Sequence, residues 1–63
     1  MLTFKEDNLD PYVIINVISS KINIGNIVWD PNTEKWVYYH IKNEYHLTQD
    51  DMYMILKKIN SLD

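Results

Sequence analysis

Sixty-three residues make one domain with one modest core, and a chain this short buries only about 60% of the surface its unfolded form exposes. Cysteine is absent, which excludes disulfide staples and thiolate metal sites and leaves dense packing or self-association, as a homodimer, to stabilise the fold. A net charge of -3, with no arginine and with lysines single except at Lys57-Lys58, excludes the clustered cationic face of a nucleic-acid backbone binder, while 46% apolar residues exclude a disordered chain.

In chain order, Leu2-Thr3-Phe4-Lys5 alternates and predicts a short edge strand, followed by a polar turn over Glu6 to Asp10. The opening residues lack the apolar stretch of a signal peptide, and no run approaches the roughly 20 apolar residues of a membrane span. The expected location is the cytoplasm. Tyr12 to Ile18 carries two competing signals. Asp10-Pro11 is a good helix start, with Leu9 placed to staple against Ile14. The density of β-branched Val13, Ile14, Ile15, Val17 and Ile18 favours a buried strand ending at the turn Ser19-Ser20-Lys21, and strand is the reading adopted.

Ile22 to Trp29 and Trp36 to Ile41 are rich in β-branched and aromatic residues and flank Asp30-Pro31-Asn32-Thr33-Glu34-Lys35, so they predict an aromatic β-hairpin with Asp30 and Lys35 facing across its neck. Gly25 signals a bulge or a close approach. With Trp29 opposite Trp36, Ile27 faces Tyr38 on the tryptophan side and Val28 faces Val37 on the other, so both sheet faces are apolar. One helix can cover only one of them.

Thr48-Gln49-Asp50-Asp51 is a capping box with Asp in the Glu position and predicts a helix over about Gln49 to Leu62. Its expected apolar face is Met52, Ile55, Leu56, Ile59 and Leu62. Asp50 and Asp51 early, and Lys57 and Lys58 late, complement the helix dipole. The predicted fold is therefore α+β: a small antiparallel meander of three to four strands packed against one C-terminal helix.

No motif carries chemistry. His40, Glu44 and His46 match no metal-site spacing. Ser19, Ser20 and Ser61 have no triad context, and a single glycine cannot build a phosphate loop. No cofactor is expected, and a two-layer domain this thin rarely encloses a pocket for acid-base catalysis. The aromatic set Trp29, Trp36, Tyr38, Tyr39 and Tyr45, with Tyr53 on the helix, remains. Strand alternation sends Trp36 and Tyr38 one way and Val37 and Tyr39 the other, so some rings face outward, where Trp and Tyr serve as anchors for a protein partner. Stacking of single-stranded bases on these rings would lack a basic groove.

The run Ile24-Gly25-Asn26-Ile27-Val28-Trp29-Asp30, then Lys35-Trp36-Val37-Tyr38-Tyr39, Leu47-Thr48-Gln49-Asp50-Asp51 and Ile59-Asn60-Ser61-Leu62 resembles short phage-encoded accessory proteins. These share a Gly-bearing strand, a turn, an aromatic strand and one terminal helix. The resemblance implies a class of action, binding and blocking a host factor in the host cytoplasm, without naming a target. The function expected is a non-catalytic protein-binding module acting through the aromatic hairpin and sheet face. A self-associating assembly protein, pairing as a homodimer, and an acidic nucleic-acid mimic are the alternatives.

Overall fold

A computed structural model describes residues 1–9 and 12–62. Four strands, β1 (Leu2–Leu9), β2 (Tyr12–Ser19), β3 (Ile22–Asp30) and β4 (Lys35–His40), precede one helix, α1 (Gln49–Ser61). The strands pair in sequence order as an antiparallel meander, giving the α+β fold. The β-branched content of Tyr12 to Ile18 is resolved as strand, because a central strand buries stiff side chains on both neighbours. The alternative helix start at Asp10-Pro11 lies outside the described residues.

The polar turn expected over Glu6 to Asp10 is corrected. β1 continues through Leu9, with Glu6 opposite Ile15, Asp7 opposite Ile14 and Asn8 opposite Val13. Partner strand β2 is long enough to satisfy this whole stretch of backbone, and pairing outweighs the weak strand preference of Glu, Asp and Asn. Asp10 lies outside the described residues.

Two tight turns carry unusual backbone. Ser20 (φ 50°) and Lys21 (φ 68°) both occupy the left-handed region between the paired residues Ser19 and Ile22, as a two-residue primed turn demands, although neither is the Asn or Gly that adopts it freely. At the β3–β4 turn Glu34 has φ 54°. There Asp30 accepts from the Asn32 backbone N–H (3.0 Å) and from the Thr33 hydroxyl (3.1 Å), an Asx turn that fixes the loop.

Strand alternation divides the sheet into two faces. The covered face carries Leu2 and Phe4 of β1, Ile15 and Val17 of β2, Ile27 and Trp29 of β3, and Trp36 and Tyr38 of β4. Leu2, Ile15, Val17, Ile24 and Ile27 are buried here under Ile55 of α1, with Phe4, Trp36, Tyr38, Tyr45, Leu47, Met54, Ile59 and Leu62 around them. The bulge signalled by Gly25 is present: the β2–β3 register shifts at Val17/Ile18, setting Ile24 and Gly25 together against Val17 so that Ile24 turns into the core.

α1 begins where the capping box predicts. Asp51 N–H donates to Thr48 Oγ1 (3.1 Å) while Thr48 N–H donates to the Asp51 carboxylate (3.2 Å). Leu62 is the C-cap rather than the last helical residue. Of the expected apolar face, Ile55, Ile59 and Leu62 lie in or against the core, but Met52 and Leu56 are 47% and 60% exposed, and Asp51, buried, and Met54, against the core, take their places. Asp51 sits inward with its carboxylate accepting from the Tyr45 hydroxyl and the Thr48 N–H, rather than on the polar side. No described helix is long and apolar enough to cross a membrane.

Candidate functional site

The five rings singled out in the sequence do not share one surface. Trp36 and Tyr38 lie on the covered face against the core, and Tyr45 packs there from the 41–48 connection. Trp29 sits at the hairpin end of the same face, 46% exposed, edge-on to Trp36 with centroids 5.7 Å apart. Tyr39 alone is on the opposite face, 57% exposed.

The Trp pairing follows from the ladder. Ile41 N–H donates to the Ile24 carbonyl (2.9 Å); counting the antiparallel alternation from that bond makes Trp29–Trp36 and Ile27–Tyr38 non-hydrogen-bonded pairs, the closer kind, in which large rings touch across the strands. The Tyr38 ring extends over Gly25, where a Cβ would come within 2.5 Å of ring carbon Cε1. Only a glycine leaves room for that ring.

Tyr38, His40 and Tyr45 tie the sheet to the helix start. The Tyr38 hydroxyl and His40 Nδ1 are 2.8 Å apart, and His40 Nε2 lies 2.7 Å from the Tyr45 carbonyl. An imidazole with its proton on Nε2 satisfies both, accepting from Tyr38 and donating to Tyr45. The Tyr45 hydroxyl accepts from Ser19 Oγ (3.2 Å) and donates to the Asp51 carboxylate (2.9 Å). Partial desolvation pushes the Asp51 carboxyl up, but the bonds from the Thr48 backbone and the Tyr45 hydroxyl outweigh it and hold the group below the ordinary aspartate range. Burial, with the Asp51 charge behind it, pushes the Tyr38 phenol up. Each side chain in this chain of bonds has a partner elsewhere in the fold, an arrangement that locks the junction between sheet and helix. Among the described residues no three His, Cys, Asp or Glu side chains gather as a metal site.

The open face is different in kind. Ile14, Val28 and Val37 line up across β2, β3 and β4 and are half-buried, with Tyr39 exposed beside them. Next to this row lies a polar one. Asn16 donates to Asp7 (2.6 Å), and Asn23 donates to Asn16 (3.1 Å) and approaches Asn26 (3.5 Å). Sequence reasoning placed Val28 and Val37 on this side but missed Ile14 and the Asn row; the signal was Asn16 and Asn26 alternating with Ile15, Val17 and Ile27, which marks the side the helix avoids.

Comparison with protein-family models, curated proteins and solved structures returns no match to the chain.

Proposed function

We propose that the chain is a non-catalytic protein-binding module whose docking surface is the open sheet face: Ile14, Val28, Val37 and Tyr39. One observation carries this reading. The single helix covers the Trp36–Tyr38 face, and the apolar row on the other face has no described element over it. A rigid apolar strip with a tyrosine on it and amides along one border fits a partner that presents a complementary apolar strip bordered by hydrogen-bonding groups. The likeness of the hairpin and terminal helix to phage accessory proteins supports a blocking or modulating role on such a partner. The acidic residues do not favour mimicry of a nucleic acid, since Glu6, Asp7, Asp30, Glu34, Glu44, Asp50 and Asp51 are spread over separate elements rather than forming one dense field.

The test is affinity capture with the wild-type chain and with Val37→Lys/Tyr39→Ala, followed by calorimetry on the purified captured protein. Specific binding that the double variant loses, with a negative heat-capacity change and little salt dependence, is expected from apolar burial. Binding retained in full by the variant places the site elsewhere and refutes the proposal.

A further inference from the structure

Away from the open sheet face, a groove along α1 has two open stretches of about 590 and 340 Å³ that share Tyr53 and Met54 as a common wall, the first closed by Met1, Tyr45 and Thr48 and the second by Phe4 of β1. One end carries Asp50 and Asp51 and the other Lys57 and Lys58, with Phe4 on the floor near the lysines. At about 100° per residue, Asp50, Tyr53, Met54, Lys57 and Ser61 form one stripe along the helix. Tyr53 in that stripe is 67% exposed.

The order of this stripe is self-complementary. Reversing it about a point between Tyr53 and Met54 places Asp50 on Lys57 and Tyr53 on Met54. A two-fold axis there sets two helices antiparallel, each acid facing a lysine twice over. We infer that this stripe pairs with the same stripe of a second copy, forming an isologous dimer in which Asp50 of each chain meets Lys57 of the other and Tyr53 of each enters the groove beside Met54.

The inference is independent of the open-face reading, and the experiment separates them. Sedimentation velocity across the micromolar range is run on wild type, Asp50→Lys, Lys57→Asp, their equimolar mixture, Tyr53→Ser and Val37→Lys, with far-ultraviolet circular dichroism confirming that each is folded. Wild type and Val37→Lys dimerise. Each charge reversal alone raises the dimer dissociation constant by about tenfold or more, because two attractive pairs become two repulsive ones. The mixture restores the dimer, since every Lys then faces an Asp. Tyr53→Ser also weakens it without changing charge. A monomeric wild type, a mixture that fails to pair although both chains are folded, or loss of the dimer in Val37→Lys overturns the inference.

Discussion

Gly25→Ala isolates the contact that fixes the aromatic hairpin. The added methyl meets the Tyr38 ring, with Cε1 and Cζ both 2.5 Å from the Cβ position, well inside the 3.5–4.0 Å optimum for carbon atoms. The ring cannot simply swing away: its hydroxyl is held 2.8 Å from His40 Nδ1, and its body packs against the core. Overpacking of this kind costs about 1–3 kcal/mol. Against it stands the roughly 0.5–1 kcal/mol by which alanine is preferred over glycine inside a strand. The net expectation is a loss of up to about 2.5 kcal/mol, which for a domain of this size lowers the melting temperature by about 4–8 °C per kcal/mol. In a Tyr38→Leu background the obstructing ring atoms are gone, so the same substitution becomes neutral or stabilising. Urea unfolding of the four chains at one fixed protein concentration gives the coupling directly, as about 1–3 kcal/mol. An equal cost of Gly25→Ala in both backgrounds would refute the close-approach explanation and assign the glycine to the Ile24 bulge alone.

The two-residue turn offers the opposite sign: Ser20→Asn with Lys21→Gly, whose residues adopt positive φ without penalty, should raise stability by about 1–2 kcal/mol in the same urea assay, and no gain would mean the turn is not strained. Because the Asp51 carboxyl is held below its ordinary value in the fold, its contribution is fully present above the unfolded aspartate value, about 3.9, and disappears as pH falls through the depressed folded value. Urea midpoints of wild type should therefore drop over that acid window more steeply than those of Asp51→Asn, and parallel curves would count against the capping network. Trp36→Ala, removing a ring packed on the core, should cost about 2–4 kcal/mol, whereas Trp29→Ala should cost about 0.5–1.5 kcal/mol; thermal melts that reverse this order would move the core boundary along the hairpin.

The hairpin and helix were legible because their signals are local. Asp30, Pro31 and Asn32 specify the turn, and Thr48 with Asp51 specifies the helix start, so neither depends on what packs against it. The strand assignment of Tyr12 to Ile18 needed a tertiary fact, namely pairing on both sides, which β-branching only hints at. The extent of β1 was illegible because Glu6 and Asn8 lie on the covered side yet remain exposed, so the strand is held by backbone pairing and leaves no apolar trace. The helix orientation was misjudged for a different reason. A periodicity count treats Asp51 as solvated, but a carboxylate that satisfies a cap and a tyrosine hydroxyl can sit inward at little cost, and its inward position carries Met52 and Leu56 outward.

The Asn row explains why the helix covers one apolar face and not the other. Closing α1 over Asn16, Asn23 and Asn26 would bury three amides whose hydrogen-bonding capacity is only partly met by one another and by Asp7. A one-residue slip of β2 against β3 would bring Asn16 beneath the helix and expel Ile15 and Val17. The same amides therefore guard the register and keep the second face free. That leaves two surfaces with different physics on one small domain: the apolar row proposed for a partner, and the charge-patterned helix stripe proposed for a second copy. Ionic strength distinguishes them. Salt screens the exposed Asp50–Lys57 pairs, so a rise to about 0.5 M sodium chloride should weaken self-association while leaving sheet-face binding intact or slightly strengthened. A common salt response at both surfaces would mean that one interface serves both roles.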